Sequence, residues 1–179
     1  TGFSPEEMAR DIADCDAMLI RTAQCPKEVV DAAKHVKIIA RHGVGFDNID
    51  IKEAETCGIW VTNTPQALSD SVAEYTLSAL LMAAKNIRDC SNAMYRGEYA
   101  YKNSHKGLDV GGKKLGVVGF GRIGRAVAKK AYYGLDMEIL AYDPFVKQEQ
   151  VPEYVTMCSW EALFSGADFI SLHLPGGEA

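Results

Sequence analysis

Gly119-Phe120-Gly121-Arg122-Ile123-Gly124 follows an apolar run at residues 115–118 and opens a helical pattern. Gly119 suits a tight turn, Gly121 leaves no Cβ where a backbone must approach a pyrophosphate, and Gly124 lets a helix pack close to a strand. The free N–H groups and the positive dipole at the start of the helix would face that phosphate. The sequence therefore predicts a dinucleotide site formed by Gly119, Gly121, Arg122, Ile123 and Gly124.

Asp143 supports this prediction, because it follows the stretch at residues 138–142 and lies nineteen residues after Gly124. A carboxylate there can accept hydrogen bonds from a ribose diol and would repel a 2′-phosphate, so NAD is predicted in preference to NADP. Taken alone, Asp143 before Pro144 is equally typical of a turn or cap residue. The spacing from the glycine turn favours the ribose.

Composition restricts the class of protein. The chain has 179 residues, 47% hydrophobic and 24% charged, with a net charge of −5 and no basic block, which is typical of a globular protein and argues against nucleic acid or membrane partners. Five cysteines are odd in number and lack metal-ligand spacing, so buried thiols are expected and no metal site is predicted. The first residues lack the features of a signal peptide, and a cytoplasmic location is expected.

Strands and helices already alternate before the glycine turn. The pattern predicts strands at residues 17–20, 36–40 and 59–61, with helices at residues 26–34 and 51–56. Such alternation is typical of a parallel sheet flanked by helices. A first, small α/β domain is therefore expected over residues 1–76.

A long apolar helix is predicted next, capped by Ser69 or Asp70, supported by Glu74 and running from residue 71 through 87 and as far as 94. Because it is apolar nearly all round, it should be buried on more than one side. We interpret residues 70–95 as a helix that connects two domains and also contacts a second subunit, so a homodimer is expected. The polar stretch at residues 95–112 is predicted to be a loop.

The second domain is predicted over residues 77–179 as a Rossmann-type doubly wound parallel sheet. Strands can be counted at residues 115–118, 138–142 and 169–173, with a helix near residues 159–164. The doubly wound dinucleotide fold uses about six strands. A truncated form of that sheet is therefore expected.

Several stretches together resemble the D-isomer-specific 2-hydroxyacid dehydrogenase family, in particular its phosphoglycerate dehydrogenase-like branch. They are the glycine turn, residues 19–22, residues 39–50 (Ile-Ala-Arg-His-Gly-Val-Gly-Phe-Asp-Asn-Ile-Asp), residues 61–65, residues 71–76 and His173-Leu174-Pro175. The resemblance implies an NAD-dependent oxidoreductase that interconverts a D-2-hydroxyacid and a 2-oxoacid. It also implies a flavodoxin-like substrate domain, a nucleotide domain and a cleft between them.

The resemblance assigns substrate binding to Arg41, Val44 and Gly45. The loop at residues 43–45 would present backbone N–H groups to the substrate carboxylate, and glycines on both sides of Val44 permit the positive φ values of an anion-binding nest. A plain turn is the alternative for this loop, and a solvated surface charge is the alternative for Arg41. Val72 resembles a position that lines the nicotinamide, although a lone helical valine is otherwise a core residue.

His173 is a tempting catalytic residue, because histidine is the usual proton shuttle near neutral pH. The resemblance instead places His173 and Pro175 in the lining of the cofactor pocket. It also implies that the catalytic arginine, acidic residue and histidine lie further along than Ala179, so no catalytic residue is predicted within the chain. A non-catalytic NAD-sensing scaffold, like the corepressors that share this fold, is the alternative function.

Overall fold

The computed structural model describes residues 4–174. The chain divides into two compact units between Leu68 and Ser69. We call them the N-terminal unit, which ends at Leu68, and the C-terminal unit, Ser69–Leu174. The division lies eight residues before the predicted domain boundary and places the whole long-helix region in the C-terminal unit.

The N-terminal unit is a three-stranded parallel sheet with helices. Its strands, in the spatial order β1-β2-β3, are Ala17–Ile20, Ile38–Arg41 and Trp60–Thr62, and Leu19 is paired with Ala40, which in turn is paired with Thr62. Its helices are α1 (Pro5–Ile12), α2 (Lys27–Ala32) and α3 (Ile51–Thr56). The α/β prediction is confirmed. We did not predict α1, although Ser4 and Glu7 form its capping box.

Only one face of this sheet carries the core of the N-terminal unit. Ile20 and Ile39 are buried in one cluster with Val29 and Val30 of α2. Alternate residues point to the opposite face, where Leu19 is 78% exposed and Trp60 is 76% exposed.

The C-terminal unit contains four parallel strands rather than the three that we counted. They are β4 (Lys114–Val118), β5 (Glu138–Tyr142), β6 (Val155–Met157) and β7 (Phe169–Leu172), in the spatial order β6-β5-β4-β7. The missed strand, β6, has only three residues, Val-Thr-Met, and lacks the continuous apolar run Ile59-Trp60-Val61 that indicated the equally short β3. The order equals the 3-2-1-4 portion of the Rossmann sheet, which confirms the predicted fold class.

Helices α7 (Arg122–Leu135) and α8 (Trp160–Gly166) connect these strands, together with a short 3-10 helix at Gln148–Gln150. Ser159 caps α8 by accepting a hydrogen bond from the Ala162 N–H at 3.2 Å, as its sequence pattern indicated.

The long apolar segment forms two helices instead of one, α4 (Ser69–Ala84) and α5 (Ile87–Tyr95). The break lies at Asn86, which has a left-handed backbone with φ of 52°, a conformation that asparagine tolerates better than most residues. The predicted cap at Ser69 or Asp70 is wrong, because both residues lie within the first turn of α4. The predicted loop at residues 95–112 contains a further short helix, α6 (Tyr101–Ser104).

Within residues 4–174, no helix is both long enough and apolar enough to cross a membrane. All five cysteines are free thiols. Burial, and the nearby charge of Asp50, raise the pKa of the Cys25 thiol to about 11, as expected for a structural cysteine.

Candidate functional site

The glycine turn begins directly after β4. Gly119 has φ of 89°, and its N–H donates to the Tyr142 carbonyl at 2.8 Å. A Cβ at this position would lie 2.5 Å from the carbonyl oxygen of His173, at the end of β7. Both the backbone conformation and the neighbouring strand therefore require glycine here.

Gly121 has no such internal reason to be glycine. It is the N-cap of α7, its φ is −75°, and no side chain caps this end of the helix. A Cβ built on it would meet no protein atom within 4 Å. The open approach to an uncapped helix N-terminus is the geometry that a bound pyrophosphate needs, so the residues present fit a dinucleotide.

Gly124 packs α7 against β4. It is buried, and a Cβ there would overlap the Gly119 carbonyl oxygen and lie 3.1 Å from Cγ1 of Val117. This is the close helix–strand contact expected of the third glycine. Between the second and third glycines, Arg122 is exposed and Ile123 is half-buried in the first turn of α7.

Asp143 is bonded to the glycine turn and to its own turn. One carboxylate oxygen accepts from the Phe120 N–H at 2.8 Å, and the other accepts from the Phe145 N–H at 2.9 Å. The second bond is the local turn interaction that we considered as an alternative. A carboxylate offers about four lone-pair sites, so each oxygen can still accept one further bond from a diol.

His173 lies on the other side of β4 from Asp143. Its backbone N–H donates to the Val118 carbonyl at 2.7 Å, its ring Nε2 is 3.0 Å from the Ser171 hydroxyl, and burial lowers its pKa. The chain runs from β4 to β5 on one side and returns to β7 on the other. Ligands of open α/β sheets bind at such a switch point, outside the carboxyl ends of the strands.

Two further residues were predicted to contact the cofactor. Val72 is half-buried in the first turn of α4, and its role at the nicotinamide stays a prediction. Pro175 lies outside the described residues.

The loop after β2 is the predicted carboxylate site. Gly43 has φ of 135°, but Gly45 does not have a positive φ, so the expectation of two strained glycines around Val44 is wrong. The Gly43 N–H donates to the Thr64 hydroxyl at 2.9 Å. Val44 and Gly45 are exposed residues, and among the described residues their N–H groups find no hydrogen-bond acceptor, so two donors remain for an anion.

A pocket of about 290 Å³ adjoins this loop. Arg41 lines it and is half-buried; its guanidinium donates to the His42 carbonyl, and its Nε is buried without a hydrogen-bond partner among the described residues. The structure thus brings together two of our predicted substrate residues, Arg41 and Gly45. The full lining consists of Thr22, Gln24, Arg41, Gly45, Asp47 and Asn48.

Sequence reasoning missed the polar side chains that Thr22, Gln24 and Asn48 contribute to this pocket. Asn48 also ties two loops together, because its side-chain amide donates to the Ala23 carbonyl at 2.7 Å. The available signal was that these residues follow predicted neighbouring strands, whose carboxyl ends meet at one edge of a parallel sheet.

Asp31, Glu53 and Cys57 form a separate cluster whose potential ligand atoms lie within 4.8 Å of one another. The ammonium of Lys27 lies 2.8 Å from the Glu53 carboxylate and 3.2 Å from that of Asp31. A lysine ammonium therefore already pairs with both carboxylates of this cluster.

Comparison with known proteins identifies the family. The sequence profile described as "D-isomer specific 2-hydroxyacid dehydrogenase, catalytic domain" matches residues 1–167. The chain belongs to this family. The resemblance noted from its motifs is thereby confirmed.

Three relatives show how far the likeness extends. A D-3-phosphoglycerate dehydrogenase of Methanocaldococcus jannaschii is 40% identical over 98% of this chain and 34% of its own length. A hydroxypyruvate reductase of Thermotoga maritima is 40% identical over 95% of this chain and 55% of its own length. The crystal structure of an Aquifex aeolicus D-lactate dehydrogenase complexed with NAD and lactic acid is 25% identical, with a TM-score of 0.85 over 94% of this chain and 51% of that one. The chain therefore spans between a third and just over half of these relatives.

Proposed function

We propose that this chain is part of a cytoplasmic, NAD-dependent oxidoreductase, similar to phosphoglycerate dehydrogenase, that interconverts a D-2-hydroxyacid and a 2-oxoacid. The observation that carries the proposal is Gly121, a glycine that neither backbone conformation nor packing requires, at the uncapped start of α7. A ligand phosphate explains that glycine. The D-lactate dehydrogenase that was crystallised with NAD and lactic acid supports the same cofactor and reaction class.

In this proposal the C-terminal unit binds the cofactor and the N-terminal unit binds the substrate. In the C-terminal unit, the start of α7 binds the pyrophosphate and Asp143 binds the ribose diol, while His173 lines the cofactor pocket. In the N-terminal unit, the N–H groups of Val44 and Gly45 hold the substrate carboxylate, with Arg41 as the nearby cation. Bound NAD supplies or accepts the hydride at the substrate's C2 atom.

We assign no proton-transfer residue within the chain. His173 is the residue type usually chosen for that task, but its ring Nε2 lies 3.0 Å from the Ser171 hydroxyl, and burial lowers its pKa, which disfavours the protonated ring. It is therefore better suited to lining the cofactor pocket. The alternative of an NAD-sensing scaffold has no support among these relatives, which are named as dehydrogenases and a reductase.

The proposed activity is tested by measuring NADH oxidation with hydroxypyruvate, glyoxylate and pyruvate as electron acceptors. The proposal expects at least one of these 2-oxoacids to be reduced to its D-hydroxyacid by the enzyme that contains this chain. Absence of reduction with all three, together with absence of NADH binding, would remove the oxidoreductase assignment.

The cofactor choice gives a direct test of Asp143. NADH should bind at least about tenfold more tightly than NADPH, about 1.4 kcal/mol, because a carboxylate pairs with a diol and repels a phosphate. Asp143→Asn should reduce the ratio to below about threefold. Titration of protein fluorescence with each cofactor measures the ratio, and equal affinities in the unsubstituted protein would exclude the role of Asp143.

We also propose that the enzyme is a homodimer that uses the exposed side of α4 and α5. Tyr75 is 76% exposed, and Met82, Met94 and Tyr95 are also exposed. An apolar helix surface of this kind is typical of a buried interface. Tyr75→Glu should convert dimers to monomers in sedimentation experiments, whereas Trp60→Glu, at an equally exposed aromatic residue in the N-terminal unit, should not. Identical masses for all three proteins would contradict this interface.

A further inference from the structure

Asn63 and Thr64 directly follow β3, and both form hydrogen bonds to the backbone of the predicted carboxylate loop at residues 43–45. The Asn63 side-chain amide donates to the Val44 carbonyl at 2.8 Å. The Thr64 N–H donates to the Gly43 carbonyl at 2.9 Å, and the Thr64 hydroxyl accepts from the Gly43 N–H at 2.9 Å. These bonds link residues about twenty positions apart, so they depend on the parallel pairing of β2 with β3.

Peptide geometry turns these carbonyl contacts into control of the N–H groups. A trans peptide unit is planar, and its N–H points opposite to its C=O. When Asn63 holds the Val44 carbonyl, it also sets the direction of the Gly45 N–H, since both belong to one peptide unit. Thr64 sets the direction of the Val44 N–H in the same way, through the Gly43 carbonyl.

We propose that Asn63 is a positioning residue for the carboxylate subsite, and that Thr64 assists it. Together they aim the free N–H groups of Val44 and Gly45 into the pocket that Gly45 lines with Arg41. This inference rests on the proposed function for its ligand, a 2-oxoacid carboxylate. Donors that are held in place before the ligand arrives lose little entropy on binding, so their orientation contributes to affinity.

The charges around the pocket make this orientation important. Asp47 lines the same pocket as Arg41, and one of its carboxylate oxygens lies 3.4 Å from where a Gly45 Cβ would be. One acidic and one basic side chain leave little net positive charge to attract an anion. The direction of the two backbone dipoles therefore decides whether a carboxylate is bound.

The test is titration of the 179-residue chain with pyruvate, followed by the ¹H–¹⁵N NMR signals of Val44 and Gly45. Pyruvamide, which lacks the negative charge, is the ligand control. In the unsubstituted chain, pyruvate should shift both amide signals and pyruvamide should not. Asn63→Leu, which keeps a similar volume but has no N–H donor, should weaken pyruvate binding by about tenfold and reduce the shift of Gly45 more than that of Val44.

Four further variants separate positioning from general loss of structure. Gln148→Leu removes a comparable amide-to-carbonyl bond, 2.9 Å long, to Val155 in the C-terminal unit, and should leave pyruvate binding unchanged. Asn63→Gln retains an amide donor and should recover binding to within about threefold. Thr64→Val removes the hydroxyl's bonds to the Gly43 N–H and carbonyl but keeps the backbone N–H bond to that carbonyl, so it should weaken pyruvate binding less than Asn63→Leu does. Gly45→Val should abolish pyruvate binding by crowding the pocket.

The outcomes distinguish this inference from the proposed function, because no nucleotide is present in the titration. If Asn63→Leu binds pyruvate as tightly as the unsubstituted chain, or if pyruvate shifts neither amide in that chain, the positioning role is wrong. If pyruvate binding depends on Asn63 but no hydride transfer occurs in the enzyme assay, the positioning role stands and the proposed activity fails.

Discussion

Replacing Gly121 by valine is expected to weaken NADH binding by at least about a hundredfold, about 2.8 kcal/mol. The new side chain would extend into the open space in front of α7, where the structure has no protein atom within 4 Å of the added Cβ. Since φ at this position is −75°, valine needs no unusual backbone. The melting temperature should therefore change by less than about 3 °C. Fluorescence titration with NADH and thermal unfolding followed by circular dichroism measure the two quantities.

Gly134→Val is the matched control. Gly134 lies near the other end of α7, and a Cβ there also meets no protein atom within 4 Å. This variant should bind NADH as the unsubstituted protein does. If Gly121→Val also retained full NADH affinity, the pyrophosphate would not bind at the start of α7, and the dinucleotide assignment would lose its main support.

Gly124→Ala is expected to destabilise the C-terminal unit by about 2 to 3 kcal/mol, which lowers the melting temperature by roughly 5 to 10 °C. One added methyl group would overlap the Gly119 carbonyl oxygen and press on Val117. The first obstacle is backbone, so α7 must move away from β4. Thermal or urea unfolding of the 179-residue chain measures the loss.

Gly166→Ala provides the comparison within the same unit. A Cβ at Gly166, in α8, would lie 3.5 Å from Cδ1 of Leu140, an ordinary contact. This variant should stay within about 1 kcal/mol of the unsubstituted chain, since helical glycine generally gains stability on replacement by alanine. Equal stability of the Gly124 and Gly166 variants would show that α7 does not depend on this close contact.

Sequence alone was enough to predict the glycine turn and the helix that follows it. The three glycines of residues 119–124 and the strand at residues 138–142 are local patterns, and the structure has the turn after β4 with Asp143 at the end of β5. Local sequence also predicted α3 at its observed bounds. Such features depend on backbone conformation and hydrophobic period within a few residues of chain, which is the information that a sequence displays directly.

Features that depend on contacts between distant residues were decided by the tertiary structure. The three-residue strand β6 exists because β5 pairs with it, and α4 ends where the chain returns, so that the Leu108 N–H donates to the Ala84 carbonyl at 2.7 Å. The loop at residues 43–45, the predicted carboxylate loop, shows the same dependence. Its glycines were visible in the sequence, but Gly43 alone has a positive φ, and Asn63 and Thr64 hold the loop from the next strand. Parallel pairing brings these residues together across about twenty positions of chain, and no local pattern encodes such a contact.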